Sequence, residues 1–323
     1  NEIKYSRNNL VYIVFIAITF ILIVIRPNSI TFFSFLSVNK NYTGLENADT
    51  LTSITTIFLN TSRILIYIII VRWCMLSVHP KNPILSFVCV TLITVLNSLI
   101  FFGTNRADFV FNFIVNLVIL IYLYKKLGIG LSCILILFLP IVVSGLSSYR
   151  NSISITKGAN KLIDFTDNIQ VYLGGVYNVA LSLDLHSPNS NPLVLFVDIF
   201  RSAFGPNLIL KHINIVQSVN LFNNRIYLND HVAQIIPMIG QSNLYLGQIF
   251  APVLGVSFIF LGIFIVKELV KVKRLELIYV LTLFSGRLGF VMAQNGNIFL
   301  NDLTFFLPLF LIIYYLNNKV VGK

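Results

Sequence analysis

The sequence predicts an all-α polytopic membrane protein of about eight transmembrane helices with one large extracytoplasmic loop. Composition, the spacing of apolar runs and the placement of lysines each point there. Of the 323 residues, 56% are apolar and 11% charged, and the mean hydropathy is +0.84. An ordinary soluble domain carries roughly 25% charged residues. Apolar runs of about 16 to 21 residues recur along the chain, close to the roughly 20 that cross a bilayer as a helix.

The expected spans are 9–25, 59–78, 84–102, 109–124, 131–146, 246–266, 277–293 and 303–316. Between them, the short connections 79–83, 125–130 and 267–276 hold Lys81, Lys125, Lys126, Lys267, Lys271, Lys273 and Arg274. Short lysine-rich loops stay on the cytoplasmic side. Alternating outward from these anchors puts both termini inside, in keeping with Lys4 and Arg7 before the first span and Lys319 and Lys323 after the last. Segments 26–60, 103–108 and 147–245 then lie outside.

Loop 147–245 is too long for a plain connector. Its stretches 169–185 and 193–210 are apolar enough for re-entrant or interfacial helices, with Pro188, Pro192 and Pro206 interrupting any spanning reading. A pair of further short spans there would bring the total to ten and leave the downstream orientation unchanged. The sequence shows no internal repeat and no low-complexity tract, so residues 1–323 read as a single transmembrane domain. It begins with Asn1 rather than Met, which leaves room for a missing N-terminal piece with further spans.

Cys74, Cys89 and Cys133 fall in apolar runs without metal-ligand spacing, so packing is expected of them rather than a disulfide framework or a zinc site. A net charge of +11 would point to nucleic acid in a soluble protein. Here topology accounts for part of it, and no nucleic-acid partner is expected.

The type of cation differs between the two sides. Inside stand nine lysines with Arg7, Arg72 and Arg274; outside, Arg26, Arg63, Arg106, Arg150, Arg201, Arg225 and Arg287 outnumber Lys40, Lys157, Lys161 and Lys211. Outer arginines run against the positive-inside bias, and the guanidinium is a planar fork of donors suited to phosphate and carboxylate oxygens. An anionic ligand on the outer face is therefore expected.

Arg106, Arg150 and Arg287 lie at outer span ends and Arg201 in the apolar part of the loop, where an unpaired charge is costly. Arg106 sits in Gly103-Thr104-Asn105-Arg106-Ala107-Asp108, a turn whose backbone N–H groups and Thr104 add donors for a phosphate; a local pair with Asp108 is the alternative. Headgroup anchoring is the alternative for Arg150 and Arg287, and pairing with Asp198 and Asp230 that for Arg201 and Arg225.

Acid and base candidates are Asp184, His186, His212, Asp230 and His231. Asp230 and His231 are adjacent and near Arg225, an arrangement in which a carboxylate can orient a histidine base. His186, within Asp184-Leu185-His186-Ser187-Pro188, reads as a turn residue. No histidine-rich metal spacing and no Gly-x-Ser-x-Gly elbow occur, so chemistry without metal or cofactor is expected. Tyr172, Tyr177, Phe204, Phe222, Tyr227 and Tyr245 are outer aromatics that can stack on sugars, although interfacial belts explain most such residues.

Three local features resemble the O-antigen polymerase and ligase superfamily, the Wzy-type oligosaccharide repeat-unit polymerases. Phe102-Gly103-Thr104-Asn105-Arg106-Ala107 is similar to the family's Thr-Gly-Ser-Arg-Gly/Ala signature, with Asn105 in place of serine. Tyr149-Arg150 ends the fifth span, and Tyr172-Leu173-Gly174-Gly175 follows in the loop. Ser242-Asn243-Leu244-Tyr245-Leu246, followed by Gly255, resembles the re-entry from loop to span. Coverage runs from about residue 59 to the end. Ligases often carry histidine where this chain has Ser242, which favours polymerase over ligase and leaves the base unassigned.

The resemblance implies a glycosyltransferase of GT-C-like architecture in the bacterial inner membrane, active on the periplasmic side. It would transfer a glycan from an undecaprenyl-pyrophosphate-linked oligosaccharide donor to a sugar hydroxyl of a second lipid-linked repeat unit. The product would be O-antigen, capsule or exopolysaccharide. Membrane lipid and a chain-length regulator protein are the other partners it implies. Arg106, Arg150 and Arg287, then Arg201 and Arg225, are the expected pyrophosphate ligands, with His231 or Asp230 as base. The alternatives are a lipid-linked oligosaccharide flippase or other transporter, an O-antigen ligase, a membrane O-acyltransferase and a structural scaffold. A transporter commonly shows paired repeats and mid-membrane ionisable residues, whereas the arginines here gather on one side.

Overall fold

The computed structural model describes residues 3–5, 8–35, 49–103, 106–137, 176–186, 191–228, 234–289 and 294–321. Helices dominate them: α1 Leu10–Ile25, α2 Thr50–Trp73, α3 Pro83–Leu99, α4 Arg106–Tyr124 and α5 Lys126–Leu137 come first. Then follow α6 Val176–Leu183, α7 Pro192–Phe200, α8 Asn207–Leu210, α9 Ser218–Tyr227, α10 Met238–Leu246, α11 Val253–Lys271, α12 Leu275–Gly289 and α13 Gly296–Val321. A π-helical turn, Cys74–Val78, prolongs α2.

The ends of these helices are written in the sequence. Asp49 caps α2 by accepting from the Thr52 N–H, Asn82 Oδ1 caps α3 at Leu85 N (3.0 Å), and Asn191 Oδ1 caps α7 at Leu193 N (2.8 Å). Each accepts from an N–H that the first turn leaves unpaired. Pro83 and Pro192 occupy first helical positions, where a missing N–H costs nothing.

Among the described residues, three helices are long and apolar enough to cross a membrane: Thr50–Val78, Gln248–Lys271 and Gly296–Lys319. Leu10–Ile25, Pro83–Leu99, Asp108–Tyr124 and Lys126–Leu137 are shorter apolar helices. Their large side chains point outward to an unusual degree, with Phe20, Val24, Ile84, Phe260 and Phe264 all exposed. A contiguous apolar exterior of this kind suits lipid rather than water. The chain is an all-α membrane protein.

Two compact units divide the chain. The first comprises residues 1–151, 268–283 and 306–323. At its heart α2 buries Ile64, Leu65, Tyr67, Ile68 and Val71, and Phe15 of α1 stacks on Phe58 at 4.8 Å. Polar groups inside this bundle satisfy one another: Thr19 and Ser62 meet at 2.7 Å, Asn97 donates to Asn116 Oδ1 (3.0 Å), and Asn116 donates to Ser98 Oγ (2.8 Å). Such pairs hold helices together where lipid offers no hydrogen bonds.

A short two-stranded sheet joins the segment after α1 to the end of α3 in this unit. Strand β1, Phe33–Phe35, pairs antiparallel with β2, Ile100–Phe102, in the register Phe33 to Phe102. The apolar run 84–102 thus ends in a strand rather than a full helix. Gly103, at φ +65°, turns the chain; its N–H donates to the Phe32 carbonyl and its own carbonyl accepts from Ser34 Oγ, both at 2.8 Å.

The second unit comprises residues 152–267 and 284–305. Leu181 of α6, Phe222 and Ile226 of α9, and Ile236 form its apolar core, with Tyr177, Leu185 and Val219 packed against it. Phe299 of α13 lies edge-on between Phe258 of α11 at 4.9 Å and Phe284 of α12 at 6.2 Å.

Candidate functional site

In the second unit α10 is the organising element. Its side chains divide between a buried polar core and an open pocket. Gln241 and Ser242 are fully buried, and the Gln241 amide donates to Asp198 Oδ2 of α7 (3.1 Å), to Ser218 Oγ of α9 (3.2 Å) and to Asn297 Oδ1 of α13. Gln241 Oε1 accepts from Gly296 N at 3.0 Å. Ser218 donates to Asp198, and Asn297 donates to the Asp198 carbonyl and to Ser202 Oγ (2.9 Å).

One amide therefore ties four helices. The donors around the Asp198 carboxylate are neutral, which lets a carboxylate sit in this interior without a cation. Tyr245, also buried, donates to the Val216 carbonyl at 3.2 Å; burial first, then the nearby Asp198 charge, pushes its hydroxyl pKa well above the usual phenol value.

The opposite side of α10 faces the end of α6. Gly240 makes this possible: a Cβ there would lie 2.1 Å from Ser182 Oγ and 2.2 Å from Ser182 Cβ. Close approach brings Asn243 Nδ2 to the Leu183 carbonyl at 3.1 Å. The segment after Leu183 then borders a pocket of about 320 Å³ lined by Leu183, Leu185, His186, Asn243, Leu244 and Gln248. Gly247, at φ +80°, turns the chain so that Gln248 reaches the same rim.

The polar chemistry of the pocket follows from two hydrogen bonds. His186 Nδ1 lies 2.9 Å from the Asp184 carbonyl, which can only accept, so Nδ1 carries a proton and Nε2 of the neutral ring is left as the acceptor. Asn243 spends its N–H on Leu183, which leaves its oxygen free to accept. An imidazole nitrogen, a carboxamide oxygen and the Gln248 amide on leucine walls make a polar site without an arginine or lysine in its lining. It suits hydroxyl groups better than a free anion.

Of the other expected ligands, Arg287 is buried in α12 and ion-paired with Asp302 of α13. Arg201 donates to the Ile213 carbonyl at 3.2 Å, while Asp198, its expected partner, belongs to the α10 network. Arg225 is exposed on α9. Arg106 is the first residue of α4, with Asp108 in the same first turn. Arg150, Asp230 and His231 lie outside the described residues, as do Tyr172 and Asp230's neighbour Asn229. Among the aromatics, Phe222 and Tyr245 are fully committed to the core, whereas Phe204 and Tyr227 remain exposed.

Sequence reasoning named His186 among the acid and base candidates but read it as a turn residue and preferred His231, and it missed the α10 network altogether. His186 lies in the segment just after α6 and bonds the Asp184 carbonyl. What the sequence reading lacked was Asn243, 57 positions away. Comparison with protein-family models, with curated proteins and with solved structures finds no match to this chain.

Proposed function

We propose that this chain is a membrane glycosyltransferase that polymerises undecaprenyl-pyrophosphate-linked oligosaccharide repeat units on the extracytoplasmic side of a bacterial inner membrane. Eight spans, with loop 147–245 outside, give the topology of this reading. The observation that carries it is a hydroxyl-accepting pocket in the same unit as Arg287 of α12, Arg201 just after α7 and Arg225 of α9.

In the proposed reaction the acceptor sugar hydroxyl enters the pocket of His186, Asn243 and Gln248. Its oxygen forms the new bond to the donor's anomeric carbon while the bond to pyrophosphate breaks and the electron pair leaves with the phosphate. The hydroxyl proton passes to His186 Nε2. Negative charge grows on the departing pyrophosphate, and arginines placed beforehand stabilise it. Arg287, Arg201 and Arg225 are the proposed groups in this unit, with Arg106 and Arg150 proposed from the sequence.

The test is reconstitution of the purified chain in liposomes with lipid-linked single repeat units isolated from cells lacking it. A ladder of longer glycans resolved by size supports the reading, and His186→Gln is expected to slow elongation at least 100-fold while the chain still inserts. Transfer of the units across the bilayer without elongation would overturn it in favour of a transporter.

A further inference from the structure

A second pocket, of about 430 Å³, belongs wholly to the first unit and has nothing to do with hydroxyl chemistry. It opens where the turn at His79 meets α3, α4 and α5, at the end of the bundle that carries the short lysine loops. Ile84 and Phe87 of α3, Tyr124 of α4 and Leu127 of α5 supply its walls, with His79 and Lys125 at its edge.

The walls are held in place. Tyr124 is pinned through its hydroxyl to Ser86 Oγ at 2.7 Å. Phe87 meets the Tyr124 ring edge-on at 5.0 Å, and His79 stacks on it at 6.0 Å. Lys125 stands at φ +48°, a left-handed conformation that non-glycine residues rarely adopt. That single turn lets Lys125 and Leu127 border the same space on either side of the break between α4 and α5.

Lys81 and Lys126, neighbours in sequence of His79 and Lys125, are exposed beside it. Among the described residues, no carboxylate is ion-paired with Lys81, Lys125 or Lys126. The pocket thus combines an aliphatic and aromatic lining with a cationic rim. Neither a sugar nor a nucleotide matches a lining so poor in hydrogen-bonding groups.

We propose that this pocket is a binding site for one anionic phospholipid of the lysine-facing leaflet. An acyl chain lies against Ile84, Phe87 and Leu127, and the phosphate stands beside Lys125 and Lys126. Basic pockets between membrane helices recognise headgroups in this way, the lysines acting as point charges while the walls remove the chain from the bulk bilayer. The site is independent of the glycosyl-transfer reading and stands or falls alone.

The experiment is native mass spectrometry of the full chain, delipidated in detergent and titrated with phosphatidylglycerol or phosphatidylethanolamine of identical acyl chains. The chain is expected to retain phosphatidylglycerol at a concentration at least tenfold lower than phosphatidylethanolamine. Lys125→Gln with Lys126→Gln abolishes that preference, Leu127→Trp fills the pocket and weakens both lipids, and Lys271→Gln with Lys319→Gln changes neither. Equal uptake of the two lipids by the unsubstituted chain overturns the proposal. So does undiminished phosphatidylglycerol preference in the Lys125/Lys126 variant, whose exposed side chains can be replaced without loss of folding.

Discussion

Arg287 has a structural partner beside its proposed part in pyrophosphate binding. The residue is 7% exposed and its guanidinium is ion-paired with Asp302, which joins α12 to α13. Removing one partner from a buried pair costs roughly 3 kcal/mol or more, because the other charge is left uncompensated. Asp302→Asn is therefore expected to lower thermal stability by about that amount, measured by unfolding in detergent. Arg287→Lys separates the two roles: it keeps a charge for Asp302 but loses the planar fork. Elongation is expected to fall at least tenfold in that variant with little change in stability; wild-type elongation would remove Arg287 from the site. The arginine was readable as a charge out of place in an apolar run, but Asp302 was not readable as its partner. The network of Asp198, Gln241 and Asn297 was equally hidden, since its members lie 43 and 56 positions apart and each is an ordinary polar residue by itself.

Helices were legible wherever one physical signal ran uninterrupted. The apolar runs at 9–25, 109–124 and 303–316 reappear within α1, α4 and α13 because lipid-facing helices need little else from their sequence. The start of α2 was not legible. Its first two turns, Thr-Leu-Thr-Ser-Ile-Thr-Thr, are too polar to read as a span, yet Thr55 and Thr56 bond back to the carbonyls four residues earlier and so bury inside the bundle. The pairing of β1 with β2 was hidden for the opposite reason. Ile100-Phe101-Phe102 continues an apolar run without a break, and only pairing with Phe33–Phe35 distinguishes strand from helix. At this scale Gly240 is the decisive position. A methyl group there collides with Ser182, and forced overpacking of this kind costs about 1–3 kcal/mol. Gly240→Ala is expected to push α6 from α10 and reduce elongation together with stability, whereas Gly240→Ala with Ser182→Gly restores both. Failure of the second change to rescue the first would show that the close approach of these two helices does not build the pocket.

For the molecule as a whole, orientation is the property that most of the functional reading leans on. With Cys74, Cys89 and Cys133 replaced by alanine, single cysteines at Asn28 and Asn214 should react with a membrane-impermeant maleimide in intact cells. Cysteines at Lys81, Lys126 and Lys273 should react only after permeabilisation; the reverse pattern would move the His186 pocket to the cytoplasm. The first unit has a further property that bears on biogenesis. Its beginning is clasped by its end: Lys4 N donates to the Lys273 carbonyl (2.8 Å), Asn317 Nδ2 to the Asn8 carbonyl (2.9 Å) and the Tyr12 hydroxyl to Glu276 (3.4 Å). Residues 152–267, all belonging to the other unit, are made in between. At roughly 5–20 residues per second, α1 to α5 wait about 6–23 s in the bilayer before the segments that complete them emerge. A ribosome that stalls in that interval leaves a half-built bundle with polar groups facing lipid, the form that membrane proteases and insertion chaperones are placed to recognise.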